Sequence, residues 1–467
     1  MKIHNLKNLE KIIIQAFILG LFLIPFNSYK GLSFMGEFSQ DANALVLIFG
    51  VLLLFLNFIW TRKIKFPVSN LTYHAFFIFL IWIVISFLIN LPSISDNFFK
   101  QTSGINRFIR QLFSLLLSSV LFFTLFYNAI SYVGKDKILN LVRKTLLFSL
   151  IVVFSYSVLE VVILRLGLHQ LKPIIYLFDY LPFVNVNLDY NSHRLSSITY
   201  EPPALAMYLI TIAGWMFSYI LTHKGLKKFI PAILVLFLAV ASGSRTSLVV
   251  ILFQFVLFLI QIFHLKRYHY LIMNGLRIIL ASVVILLVVN YRAVHEFASE
   301  KAASLDFTNV NRNYSNQSRL GIQYTSLLIY KENPVFGVGY GQQAYHAKHK
   351  YPYWAVKNNW EFDYKYLNEK LKSFPPGYNI YTRILAETGT IGLILFLCFI
   401  SSFFYQANEL RKKPENRTMG VIILVSLGGF VLNWMQIDSF RMYGVWLCLA
   451  LLCFFYKFQR KKEIDAI

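Results

Sequence analysis

Apolar runs recur from one end of this 467-residue chain to the other, and no other feature limits its fold as strongly. They fall at about 11–26, 43–61, 71–91, 111–130, 145–167, 203–222, 230–242, 246–264, 276–291, 381–405, 419–436 and 442–457. Roughly 20 apolar residues in a helix cross a bilayer, where backbone groups must be satisfied internally. The runs predict an all-α polytopic membrane protein with about 12 transmembrane helices and one large outer loop. Several runs are shorter than a full span. The pair 230–242 and 246–264 reads as two spans joined by a tight turn at Ser242-Gly243-Ser244-Arg245. Charged residues make up 14% of the chain, against about 25% in soluble domains.

The net charge of +23 raises the question of nucleic acid. That partner is rejected, because many of the basic residues sit in short clusters between apolar runs, as cytoplasmic loops of membrane proteins do. The clusters are Arg62-Lys63, Lys135/Lys137, Lys224/Lys227/Lys228, Lys266-Arg267 and Arg411-Lys412-Lys413, and both ends of the chain are basic. With twelve spans all of these share one side, so both termini are expected in the cytoplasm. The loop 168–202, the turn 242–245 and the insert 292–380 then face outward. The loop 92–110, with Lys100, Arg107 and Arg110, breaks the pattern. Three parts follow: spans one to nine over 1–291, the insert 292–380, and spans ten to twelve with a cytoplasmic tail over 381–467. The insert's aromatic clusters around Tyr353 and Trp360 fit short amphipathic helices on the bilayer or platforms for sugar rings. No cleavable signal peptide is evident, since 11–26 leads into a polar loop without small residues at a cleavage position.

Arg245 interrupts two apolar runs, and a charge at a helix centre costs roughly 2.5–3.5 kcal/mol. No acidic residue lies between His223 and His295, so an anionic ligand is an economical partner; a snorkelling arginine at a turn is the plainer reading. Arg194 lies in an outer loop that ends at Glu201, and Pro202-Pro203 suits a helix start there. Glu201 is either a functional carboxylate or one favoured by the helix dipole. Arg319 opens a helical pattern at the start of the insert, and a solvated loop arginine is its alternative. Three outer arginines can grip a pyrophosphate bidentately, better than lysines. The run Gly337-x-Gly339-x-Gly341 is a weak nucleotide motif and reads better as a tight turn. Arg383 and Glu387 share a helix face with Asn379 and are expected to neutralise each other. Glu160 with Arg165, and Asp438 with Arg441, read as structural pairs. Cys398, Cys448 and Cys453 lie in apolar runs, so neither a disulfide framework nor a metal site is expected, and no cofactor.

Four stretches together resemble the O-antigen polymerase and O-antigen ligase family of bacterial surface-polysaccharide assembly. They are Arg194…Glu201-Pro202, Ser242-Gly243-Ser244-Arg245-Thr246-Ser247, Arg319 followed by Asn333-Pro334-Val335-Phe336-Gly337-Val338-Gly339, and Tyr378-Asn379…Leu385-Ala386-Glu387-Thr388-Gly389. The resemblance implies a fold related to the C-type glycosyltransferases and a metal-independent glycosyltransferase of the cytoplasmic (inner) membrane. Its active site would face the periplasm or exterior. Its partners would be a polyprenyl-pyrophosphate-linked oligosaccharide, membrane lipid and a chain-length regulator protein. Many members carry His-Asn where this chain has Tyr378-Asn379, which weakens a ligase reading. The expected function is repeat-unit polymerisation, with a ligase as runner-up and a flippase as the alternative of another class. Against a flippase, no inverted repeat is obvious. Arg194, Arg245 and Arg319 are expected to hold the pyrophosphate, and His193, Gly337, Gly339, Tyr378 and Asn379 to contact substrate. For the base, Tyr378 has too high a reference pKa, near ~10. Glu387 is weakened by Arg383, and His193 has no evident orienting partner. Glu201 is the expected base, made more basic by partial burial at the membrane mouth.

Overall fold

The computed structural model describes residues 2–191, 193–263, 268–270, 273, 274, 277 and 314–464. Eleven of the twelve apolar runs coincide with a helix, and the run 276–291, Arg277 apart, lies outside the described residues. The first 22 residues of the insert, 292–313, lie outside them too. The longer helices among the described residues are α1 (Lys2–Phe22), α2 (Ala42–Thr61), α3 (Leu71–Ile89), α4 (Gly104–Val133), α5 (Lys135–Leu164), α6 (Pro202–Thr222), α7 (Ile230–Ala241), α8 (Arg245–Phe263), α9 (Tyr314–Glu332), α10 (Ile380–Lys412), α11 (Arg417–Asn433) and α12 (Tyr443–Ile464). Among the described residues, seven helices are long and apolar enough to cross a membrane, namely α2 to α6, α8 and α10. The protein is an all-α, multi-pass membrane protein.

Which helices sit inside follows from side-chain size. In α6, Ala204, Ala206, Ala213 and Gly214 let neighbours approach closely, and α6 is enclosed by α7, α8 and α11. A Cβ on Gly214 would lie 2.6 Å from Ser426 Oγ of α11. Gln254 of α8 ties the three together: its buried amide donates to Ile210 O at 3.0 Å in α6 and to Val425 O at 3.3 Å in α11. Outer helices instead turn large apolar side chains outward, among them Phe49, Leu52 and Phe55 on α2 and Val249, Val256 and Ile260 on α8. Such a belt is stable only against lipid.

The loops that the basic-residue pattern groups together do meet at one end of the bundle. Asn27 reaches Tyr200 N (3.1 Å), Ser28 reaches Asn185 N (2.9 Å) and Arg165 reaches Ala241 O (2.6 Å). The insert, from α9 on, folds over this end. It has its own small core of Ile322, Ala355, Phe362 and Tyr366, and its short helices include Gln343–Ala347 and Tyr353–Val356.

Three clasps hold it down. Gly337 and Gly339, both at positive φ, lie against a kink in α10 at Gly389 (φ 68°, ψ −169°), where Val338 N and Gly339 N donate to Ala386 O (3.0 Å) and Glu387 O (2.8 Å). A Cβ on Gly389 would lie 2.0 Å from Val335 O. In α3, Trp82 and Ser86 bond Thr388 O (2.9 Å) and Phe336 O (2.8 Å). The third clasp is a two-residue hairpin between β1 (Phe98–Phe99) and β2 (Thr102–Ser103). Lys100 at its tip is buried, and its ammonium donates to Lys365 O and Asn368 O, both at 2.8 Å.

Candidate active site

The site begins with Glu160, buried near the end of α5. Its carboxylate accepts the N–H groups of Ser196 (3.1 Å) and Ser197 (2.9 Å), so the loop before α6 is fixed from below. The expected Glu160–Arg165 pair is corrected: Glu160 holds backbone, and Arg165 donates to Ala241 O. Leu195 packs with Leu164 and Ala241. Between these anchors Arg194 lies over Gly243 (φ 64°) in the turn from α7 to α8. A Cβ there would stand 3.3 Å from Arg194 Cγ, so glycine makes the room. Two residues on, Arg245 begins α8 and is exposed.

The sequence-predicted charges converge. Burial first, then the Arg245 guanidinium, hold Arg194 below the usual arginine range; Asp189 and Glu201 oppose this, and Arg319 adds to it. Arg194, Arg245, Arg319 and Glu201 therefore share one field. Arg319 rises from α9, with its guanidinium 5.3 Å from the centre of the Tyr378 ring and a long contact to Gln436 Oε1 (3.4 Å). The Nε groups of Arg194 and Arg319 are buried and have no hydrogen-bond partner among the described residues. Burying such a donor is unfavourable unless something accepts from it.

Glu201 caps α6 in extended geometry (φ −159°, ψ 160°), as the two prolines predict. The expected partial burial is corrected: Glu201 makes no side-chain cap on α6 and is exposed beside Tyr200. His193 is exposed and bonds Leu164 O through Nδ1 (3.1 Å). Tyr378 sits at φ 57° with its hydroxyl 2.6 Å from that of Tyr366. Burial raises its phenol, so it stays a neutral hydrogen-bonding group. Asn379 is the N-cap of α10, accepting from Tyr381 N (2.9 Å) and Thr382 N (3.3 Å), and its amide nitrogen reaches Gln323 (3.3 Å). Gly337 and Gly339 are at the α10 clasp, where their N–H groups already have backbone acceptors.

A second group of charges lies next to the first. Arg383 does pair with Glu387 (3.1 Å), and it also bonds Asp438 (3.3 Å) and Gln111 (2.8 Å). The expected Asp438–Arg441 pair is corrected, since Asp438 serves Arg383 and Gly377 N (2.8 Å) while Arg441 turns to Glu37 (3.8 Å). Arg383, Asp438, Gln111, Arg441 and Glu37 line a cavity of about 350 Å³, with Arg107, Arg110, Lys372, Phe374 and Tyr340 also on its wall. The sequence reading did not assign it. Its one signal was the loop 92–110, whose arginines break the charge pattern because they face this cavity. Among the described residues no three His, Cys, Asp or Glu side chains converge as metal ligands.

Residues 230–397 match the family model described as O-antigen ligase. No curated protein matches the chain. The match takes in Arg245, Arg319, the glycine run, Tyr378 and Asn379, while Arg194, Glu201 and Arg107 lie before it.

Proposed function

Given the O-antigen ligase domain at residues 230–397, which supports the O-antigen polymerase and ligase family, we propose that this protein is a repeat-unit polymerase. The acceptor hydroxyl attacks the anomeric carbon of the lipid-linked glycan, and the bond to the carrier's pyrophosphate breaks. The electron pair leaves with polyprenyl pyrophosphate, and the hydroxyl proton goes to a base. The observation that carries this reading is the shared field of Arg194, Arg245 and Arg319 at the insert end. Three guanidiniums supply countercharge for a leaving pyrophosphate, an electrostatic role that requires no metal ion. Glu201, in the same field, is the proposed base, and its exposure keeps it open to an incoming acceptor. Tyr378 and His193 flank the acceptor side, with Asn379 holding the start of α10 in register. The site faces the periplasm or exterior of the cytoplasmic membrane, both termini the cytoplasm, and a chain-length regulator protein is a proposed partner.

A ligase remains the second reading, because the matching family model is described as O-antigen ligase. Tyr378 favours the polymerase, since a raised phenol does not replace the histidine that many members carry. Deleting the gene and resolving surface polysaccharide on a gel separates the two. Loss of polymerase leaves single repeats on the final acceptor; full-length polymer held on the carrier lipid means a ligase. Complementation with Glu201→Gln is expected to give the deletion pattern, and normal ladders from that variant would remove Glu201 as base.

A further inference from the structure

The cavity beside the arginine cluster has a charge and shape of its own. Its wall carries five cations, Arg107, Arg110, Lys372, Arg383 and Arg441, facing the carboxylates of Glu37 and Asp438. Glu37 is shared between Arg107 (3.6 Å) and Arg441 (3.8 Å). Asp438 is held by Arg383, with Glu387 on that arginine's other side, and Asp41 acts on Arg441. One positive charge is left over. Arg110 and Lys372 are the two wall cations that form no ion pair among the described residues. Arg107 Nε is buried without a hydrogen-bond partner among the described residues, and its guanidinium stacks 4.3 Å from the Phe374 ring centre. Phe374, Phe440 and Tyr340 add aromatic surface. The segment Lys372–Pro376 forms one wall, and Gly377, next to Tyr378, donates its N–H to Asp438 on the same wall (2.8 Å).

A surplus of one charge matches a carboxylate better than a pyrophosphate. Aromatic faces beside cations suit a sugar ring that carries an acid group. The volume, at the low end of the range of about 300–1,000 Å³ for ligand pockets, holds a sugar residue rather than a long glycan. Resting on the reading of the chain as a glycan transferase, we propose that this cavity is an acidic-sugar subsite that receives a carboxylate-bearing residue of the acceptor glycan. It would select acidic repeat units and set the acceptor's position relative to Glu201.

The test uses the full chain in lipid nanodiscs and measures binding of a uronic-acid disaccharide, its carboxyl-reduced neutral counterpart, and inorganic pyrophosphate. Arg110 and Lys372 are exposed, so Arg110→Ala and Lys372→Ala keep the fold. Each is expected to weaken uronate binding about tenfold, the scale of one charge-assisted hydrogen bond. Neither should change binding of the neutral sugar, and Arg110→Lys should restore part of the loss. Equal binding of both sugars by the wild type overturns the proposal. So does uronate binding that ignores both substitutions, or a pyrophosphate affinity that falls with them, which would make the cavity a carrier-headgroup site. Arg245→Ala keeps the two readings apart: it should stop elongation and leave uronate binding intact. Normal elongation in Arg245→Ala with uronate binding still dependent on Arg110 would sink the polymerase mechanism and leave the subsite standing.

Discussion

Arg383 and Arg194 carry the same charge and differ in what already holds them. Arg383 is bonded to Glu387, Asp438 and Gln111, all within the protein. Removing one partner of a buried pair costs about 3–5 kcal/mol. Arg383→Met should therefore lower the melting temperature of the purified protein before any question of activity arises. Arg194→Ala and Arg319→Ala, whose buried Nε groups have no hydrogen-bond partner among the described residues, should melt near the wild type and yet abolish chain elongation. Arg245→Lys should recover little, because an ammonium cannot make the bidentate contact. Wild-type polymer length in Arg245→Ala would mean that this arginine only snorkels from its turn. Arg245 was legible because it interrupts two apolar runs at a cost, and Arg194 and Arg319 because they open stretches that resemble the family's. The partners of Glu160 and Arg441 were not. A carboxylate that holds the N–H groups of Ser196 and Ser197 leaves no charged partner to notice, and Glu37 lies 404 positions before Arg441.

Helices were readable one at a time, since a run of apolar residues is a local property; their contacts were not. The kink at Gly389 looks like any glycine in an apolar run until Val335 O is brought against it. The glycine run 337–341 was rightly read as tight turns, and what those turns rest on is visible only when α10 bends. Between these clasps the insert has a titratable weak point. His346, in the short helix Gln343–Ala347, is held below the usual histidine range, first by burial and then by Lys350, against the pull of Glu332. Its neutral form is the one that fits the fold. The sign follows: an unfolded insert takes up the proton near pH 6.5, the folded insert only at lower pH, so stability is complete above about 6.5 and falls as pH drops through the folded value. Hydrogen exchange across Gln343–Lys350 should quicken below pH 6.5 while α6 stays protected. His346→Phe should flatten that dependence, and an unchanged profile in that variant would assign the pH effect elsewhere.

Across the whole molecule, loops from six places in the sequence meet at one end of the bundle, as the alternation of basic loops requires. The side that this end faces is tested by labelling. With Cys398→Ser as background, a cysteine at Tyr364, 72% exposed in the insert, should react with a membrane-impermeant thiol reagent on intact cells, and one at Lys412 should not. The reverse result would move the site into the cytoplasm and end the case for a lipid-linked donor. Lys100 gives the assembly one more property. Its ammonium grips the main-chain oxygens of Lys365, Asn368 and Leu371, and so it takes no notice of the side chains at those positions. A fastening that ignores side chains leaves the exposed positions Lys365, Glu369, Lys370 and Leu371 open to mutation, while Tyr366 stays fixed in the insert's core. A lineage could recast this stretch, beside a cavity wall at Lys372–Pro376, to suit a new surface glycan while the catalytic frame stayed where it was.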